Sequence, residues 1–207
     1  MEKLDLSKKY RSYYQAKTTV EELVIEEAGY LAIEGKGDPS AAEFSRNIEA
    51  LYGIAYAIKF LCKDQGNDFV VPKLEGNWWY DENKYARLSP EHAALEVPRS
   101  EWQYQLMIRM PDFVSKKSFE EGLNRAFAKK GNEKMKQVQL ISFAPGRCVQ
   151  ILHTGPFRDE PTSLARIMEY MDQHGLVKNG RHHEVYLSDF HKVEEQKLKT
   201  ILREPVN

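Results

Sequence analysis

The sequence predicts an α+β fold built from two similar modules, and three observations support this prediction. Segments with strand-like alternation of apolar residues flank longer segments with apolar residues at helical spacing. The order strand, strand, helix, strand, strand occurs twice. A turn glycine, a strand, a second glycine and a helix start follow one another at residues 28–39 and again at 145–156. We interpret this as duplicated β-α-β-β type modules that form a curved antiparallel sheet, with helices on one face and a ligand cleft on the other.

The first half is dominated by one long predicted helix. Apolar residues from Phe44 to Leu61 recur at steps of three and four, which predicts one buried stripe on this helix. Pro39 is tolerated in a first helical turn, and Gly66 ends the pattern. The other elements predicted for this half are strands at 20–25, 30–35, 69–80 and 102–109 and a shorter helix at 118–130.

The second half repeats the arrangement on a shorter scale. A helix is expected after Gly155-Pro156, and Gly175 closes it. Strands are expected at 138–143, 148–153, 182–188 and 198–203. We expect residues 1–19 to form an N-terminal arm and residues 20–207 to form a single domain, with halves at about 20–130 and 137–207.

Composition and charge exclude several classes of protein. The 207 residues include 30 Lys and Arg against 31 Asp and Glu, so the broad positive charge of a nucleic-acid-binding protein is missing. No apolar run approaches the roughly 20 residues of a membrane helix. The charged N-terminus has no apolar signal core, and Cys62 and Cys148 are isolated from each other. The sequence therefore predicts a cytoplasmic protein that binds neither nucleic acid nor membranes.

Two aromatic segments are candidates for lining a cleft. Trp78-Trp79-Tyr80 cannot enter one core together, because neighbouring residues of a strand face opposite sides. At least one of these rings must therefore line the second face of the sheet. Trp102 and Tyr104 share one face of a later strand, and either core packing or lining of a pocket explains them equally well.

The segment His182–Ser188 places a carboxylate in the middle of a strand. If Val185 and Leu187 pack against helices, alternation turns Glu184 and Tyr186 toward the cleft. A poorly solvated carboxylate beside a phenol can hold a ligand cation or act as a general acid or base. A solvent-exposed glutamate on an edge strand is an equally weighted alternative.

Other kinds of site have little support in the sequence. His182 and Glu184 share a face, but a zinc site needs three or four converging ligands, so we expect no metal and no cofactor. Gly35-Lys36-Gly37 lacks the length of a phosphate-binding loop. The two cysteines have no basic neighbours that would activate a thiolate.

Four segments together resemble the GyrI-like small-molecule-binding family. They are Leu74-Glu-Gly-Asn-Trp-Trp79, Trp102–Val114, Cys148–Phe157 and His183-Glu-Val-Tyr-Leu-Ser-Asp189. The resemblance implies a duplicated module with a ligand cleft between its halves, and relatives that bind amphipathic, often cationic aromatic compounds. It also implies similarity to free-standing members with a Trp-Trp motif that hydrolyse cyclopropane-bearing DNA-alkylating compounds within an aromatic cage. Asn77 departs from the larger apolar residue expected at its position.

The resemblance and the strand alternation together give a set of candidate site residues. The buried acidic residue of the family matches Glu184, and we expect Glu184 and Tyr186 to be catalytic. The expected ligand-binding residues are Trp78, Trp79, Tyr80, Trp102, Tyr104 and Phe157.

Three functions compete at this point. The protein could sequester hydrophobic, planar aromatic or cationic xenobiotics, or it could hydrolyse activated cyclopropanes, and both functions need nearly the same pocket. The alternative from a different class is a non-catalytic, gyrase-inhibitor-like protein-interaction module. The expected partners are a small-molecule ligand and, at most, a weak homo-oligomer.

Overall fold

The computed structural model describes residues 3–85, 88 and 90–207, and it confirms the α+β fold class. The eight strands found among these residues form one sheet in which every neighbouring pair is antiparallel. The strands are β1 (Glu21–Ile25), β2 (Ala28–Lys36), β3 (Leu74–Trp79), β4 (Gln103–Arg109), β5 (Gln139–Phe143), β6 (Gly146–Thr154), β7 (His182–Tyr186) and β8 (Lys199–Pro205). The α-helices are α1 (Leu6–Lys9), α2 (Arg11–Tyr14), α3 (Ala42–Asp64), α4 (Pro90–Glu96), α5 (Lys116–Lys130) and α6 (Glu160–His174).

The strand order is symmetric about its centre, as a duplication predicts. It reads β1-β6-β8-β7-β3-β4-β2-β5, so the third strand of each half meets its counterpart at the β7–β3 pair. The first strand of each half crosses over: β1 pairs with β6, and β5 pairs with β2. The middle of the sheet is therefore the junction at which both halves contribute side chains to one place.

Helices α3 and α6 pack on one face of the sheet and leave its centre open. The stripe of α3 is buried against β2 and β4, and α5 packs so closely on it that a Cβ at Gly122 would lie 2.5 Å from Ile58 Cγ1. In the other half, Leu164, Ile167 and Met171 of α6 pack on β6 and β8. Between α3 and α6, the face of β3 and β7 remains accessible.

The opposite face of the sheet is covered by the N-terminal residues. Leu6, Tyr13 and Tyr14 of α1 and α2 pack against Val185 and Ile201. The prediction of a cleft on the face opposite the helices was therefore wrong, because α1 and α2 fill that face. The cleft opens on the face that carries α3 and α6.

The alternation predicted for β7 nevertheless gives the expected orientation. Val185 and Leu187 pack against α1 and α2 rather than against the long helices, and Glu184 and Tyr186 point to the cleft face. Within the described ranges, no helix is long and apolar enough to cross a membrane.

Candidate functional site

The main cleft has a volume of about 920 Å³ and lies over the junction of the two halves. The first turns of α3 and α6 form two of its walls, and strands β3 and β7 form its floor. A third wall comes from the connection between β3 and β4, which includes α4. Small-molecule sites commonly occupy about 300–1,000 Å³, so this cleft is large enough for a drug-sized molecule.

Aromatic side chains line much of this cleft. Trp78, Trp79 and Tyr80 all contribute, because β3 ends at Trp79 and the chain then leaves the sheet. The rings of Tyr80 and Trp102 meet edge to face with centroids 5.2 Å apart. The Arg181 guanidinium stacks on the Trp79 ring, 3.5 Å from its centroid. The half-buried rings of Trp79, Tyr80 and Trp102 can therefore contact a bound molecule.

Phe157 also lines the cleft, whereas Tyr104 does not. Phe157 is exposed and lies edge to face with Tyr186, with ring centroids 6.0 Å apart. Tyr104 is only 1% exposed and is covered by α3, where its hydroxyl accepts a hydrogen bond from Asn47 Nδ2 at 3.1 Å. Its ring lies 5.4 Å from that of Trp78. Tyr104 therefore packs against Trp78, which lines the cleft, but Tyr104 is not itself part of the lining.

Two glutamates from different elements meet in the cleft. Glu184 comes from the central strand β7, and Glu160 is the first residue of α6, where a carboxyl group is common. Both are about nine-tenths buried. Burial, and then the negative charge of Glu184, raise the pKa of Glu160 well above its ordinary value. In the part of the chain that the structure describes, no group donates a hydrogen bond to Glu160 Oε1. Glu160 therefore holds its proton more readily than an ordinary carboxyl group.

His182 holds Glu184 from the other side. Its Nε2 lies 3.2 Å from Glu184 Oε1, and its Nδ1 lies 2.6 Å from Oε1 of Glu204 on β8. Burial alone would lower the pKa of His182, but the charge of Glu204 and the hydrogen bonds to both carboxylates raise it to about 10. Although burial opposes ionisation, the same contacts keep the pKa of Glu204 below its ordinary value. His182 is thus an imidazolium that donates to two carboxylates.

Tyr186 lies between the aromatic wall and Glu184. Its hydroxyl accepts a hydrogen bond from Trp78 Nε1 at 2.9 Å. Burial, and then the charge of Glu184 together with a hydrogen bond to it, raise the pKa of Tyr186 well above its ordinary value, so it remains a neutral phenol. Gly76 pairs with Glu184 in the sheet, and a Cβ there would lie 3.0 Å from both atoms of the Trp78–Tyr186 bond. A glycine at this position therefore makes room for the pair.

The sequence analysis expected Glu184 and Tyr186 to face the cleft, which is where the structure has them, but it did not single out Glu160 or Glu204. Glu160 looks like an ordinary acidic residue in a first helical turn, and Glu204 like an ordinary residue near the C-terminus. His182 was considered only as a metal ligand. Its place on the same strand face as Glu184 was recognised from the sequence, but that place was not read as a contact between the two side chains.

Comparison with known proteins agrees with this architecture. The chain is 36% identical to an uncharacterized conserved protein from Listeria innocua, with a TM-score of 0.88 over 99% of this chain and 100% of that chain. A hydrolase from the same organism is 35% identical, with a TM-score of 0.85 over 99% and 100% of the chains. The C-terminal domain of EcmrR shares 15% identity, with a TM-score of 0.50 over 91% of this chain and 97% of that one, a likeness that concerns the fold alone. No curated protein sequence matches the chain.

The family comparison covers both halves of the duplicated sheet. The model of the GyrI-like small molecule binding domain matches residues 18–206, which include strands β1–β8 and helices α3, α5 and α6. The cleft lies at the junction of the two halves, as the resemblance implied. The chain therefore belongs to the GyrI-like small-molecule-binding domain family.

Proposed function

We propose that this protein binds amphipathic, planar aromatic xenobiotics in the cleft and hydrolyses those that carry an activated cyclopropane, which protects against toxic alkylating compounds. The observation that carries the proposal is the meeting of two buried glutamates beneath aromatic walls: Glu160, whose pKa is raised, and Glu184, which is hydrogen-bonded to His182. Such a pair supplies an acid and a base at one pH. The 35% identity to a hydrolase of known structure adds support for hydrolysis.

The aromatic walls supply the binding energy in this proposal. A planar ligand would contact the half-buried rings of Trp79, Tyr80 and Trp102, and each favourable ring pair contributes about 0.5–1.5 kcal/mol beyond its area of burial. These rings are held in place: Trp102 Nε1 donates to the Val97 carbonyl oxygen at 3.2 Å, and Arg181 stacks on Trp79. The walls would therefore orient a flat molecule over the carboxyl groups with little rearrangement.

The chemical step requires one base and one acid. The Glu184 carboxylate accepts a proton from a water molecule, whose oxygen forms a bond to a cyclopropane carbon. The strained C–C bond breaks, and its electron pair moves through the conjugated system to the ligand's carbonyl oxygen. Glu160 donates its proton to that oxygen. Return of the proton from Glu184 to Glu160 restores the site, and the product differs from the ligand by one added water molecule.

Tyr186 and His182 act as positioning residues for Glu184. The imidazolium of His182 lies 3.2 Å from Glu184 Oε1 and holds this side chain in place through a hydrogen bond. The Tyr186 hydroxyl, fixed by Trp78 Nε1, borders the same carboxylate. Rigid placement of a catalytic base contributes to the rate because less orientation must be achieved during the reaction.

Turnover tests this proposal directly. The protein is incubated with a cyclopropane-bearing alkylating compound, and mass spectrometry follows the appearance of the water adduct. We expect Glu184→Gln and Glu160→Gln each to slow adduct formation by about 10²–10⁴-fold, the usual contribution of a general acid or base. Glu195→Gln, which changes an exposed carboxylate paired with Arg158, is the matched control and should keep the wild-type rate.

Binding is measured separately, by the rise in unfolding temperature that a ligand causes when only the folded protein binds it. Trp79→Ala should reduce this rise. If Glu184→Gln retains full turnover, the proposed role of Glu184 as base is wrong. If ligands bind but no adduct forms in wild-type protein, the hydrolytic part of the proposal is wrong and sequestration remains.

A further inference from the structure

The charges at and beneath the floor of the cleft compensate one another. Glu184 and Glu204 are carboxylates, while His182 lies between them and Lys178 Nζ lies 3.6 Å from Glu204 Oε2. Glu160, which faces this group from α6, is buried without a hydrogen-bond partner for its Oε1 among the described residues. The two carboxylates and the two cations therefore sum to zero net charge.

The protonation of His182 follows from the geometry of its contacts. Each of its ring nitrogens faces a carboxylate oxygen, and a carboxylate oxygen accepts hydrogen bonds but cannot donate one. Both contacts are satisfied only when both nitrogens carry a proton. Arg181, the adjacent cation, also lines the cleft, where it stacks on Trp79 and lies 3.7 Å from Glu34.

A cationic ligand that approached Glu184 would meet the imidazolium beside it. We propose that His182 is a built-in counter-cation that makes the cleft selective for uncharged planar ligands over cationic ones. This inference rests on the proposed binding function of the cleft and names the class of ligand that the cleft takes. It differs from the expectation, based on Glu184 alone, that the acidic residue favours cations.

Two dyes of nearly the same shape test this selectivity. Acridine is uncharged at mildly alkaline pH, whereas N-methylacridinium carries a permanent positive charge, and the binding of both is measured by fluorescence titration. Wild-type protein should bind acridine more tightly than N-methylacridinium. Tighter binding of the cation by wild-type protein would overturn the proposal without any variant.

Three variants test whether the preference for the uncharged dye depends on the charge of His182. His182→Gln should strengthen binding of N-methylacridinium by about tenfold, the factor expected when one nearby charge is left uncompensated in a partly solvated site, and should leave acridine within about twofold. Arg158→Gln removes the same charge from the exposed rim of the cleft and should change the binding of neither dye by more than about twofold, because solvent screens that site. His182→Lys should restore the wild-type preference.

The outcomes separate this inference from the proposed function. If His182→Gln leaves the ratio of the two affinities unchanged, or if Arg158→Gln changes it equally, the counter-cation proposal is wrong. If neither dye binds wild-type protein, the proposed binding function fails and this inference fails with it. If the selectivity is as expected but no cyclopropane is hydrolysed, only the proposed hydrolysis fails.

Discussion

Replacing Glu160 by glutamine should stabilise the protein increasingly as the pH rises. Burial and the charge of Glu184 raise the pKa of Glu160 well above the ordinary carboxyl value. Between the pKa of the unfolded chain and the raised pKa of the folded protein, the folded state holds a proton that the unfolded state has lost. The unfolding free energy of the wild-type protein therefore falls as pH rises through this window. Glutamine binds no proton in this pH range, so residue 160 of the Glu160→Gln variant does not contribute to this fall in unfolding free energy.

The size of the effect follows from proton linkage. One proton held only by the folded state lowers the unfolding free energy by at most about 1.4 kcal/mol for each pH unit inside this window. The difference between Glu160→Gln and wild-type protein should grow by this amount.

Urea unfolding at pH 5, 6 and 7, followed by circular dichroism, measures this difference. Glu169→Gln is the matched control, because it removes an exposed carboxyl group from the same helix. A difference between Glu160→Gln and wild-type protein that stays constant over these pH values would show that Glu160 is ionised in the folded protein. Its assignment as the acid would then be wrong.

Two further substitutions test the packing around the cleft. A Cβ at Gly35 would lie 2.3 Å from the Tyr104 ring, so Gly35→Ala should lower the unfolding free energy by about 1–3 kcal/mol, measured by urea unfolding. Wild-type stability of this variant would mean that the Tyr104 ring can move aside. Tyr186→Phe removes the acceptor of the buried Trp78 N–H bond and should cost about 1–3 kcal/mol in the same measurement. An unchanged unfolding free energy would show that the Trp78 N–H finds another hydrogen-bond acceptor in the variant.

The fold could be predicted where periodicity decides it. The apolar stripe between Pro39 and Gly66 corresponds to α3, which spans Ala42–Asp64, and the alternation around Glu184 gave its face correctly. The predicted strand at 69–80 was too long: its regular part is Leu74–Trp79. Pro72 lies in the part that is not in the strand, and proline has no N–H to donate to a neighbouring strand.

The face of the cleft could not be predicted from periodicity. Alternation divides the residues of a strand between two faces, but it does not say which element covers each face. The tyrosines Tyr13 and Tyr14 looked like part of a polar arm, and in the folded protein they cover one face of the sheet. For the same reason, Trp78 and Tyr104 share a face, yet α3 covers Tyr104 and leaves Trp78 at the edge of the cleft.

The cluster of ionisable groups was also beyond sequence reasoning. Glu160, His182 and Glu204 belong to α6, β7 and β8, and only the pairing of β7 with β8 and the packing of α6 over them bring the three together. Their protonation states depend on burial and mutual distance, which no spacing in the sequence encodes. Glu184 was found because it lies in the middle of a strand.

A crystal structure of Glu184→Gln with a bound cyclopropane-bearing compound tests the central claim most directly, because this variant should hold the compound without consuming it. We predict that the planar ring system lies against Trp79, Tyr80 and Trp102, with the conjugated carbonyl oxygen within hydrogen-bonding distance of Glu160. A compound bound outside the cleft, or one whose carbonyl oxygen points away from Glu160, would contradict the account.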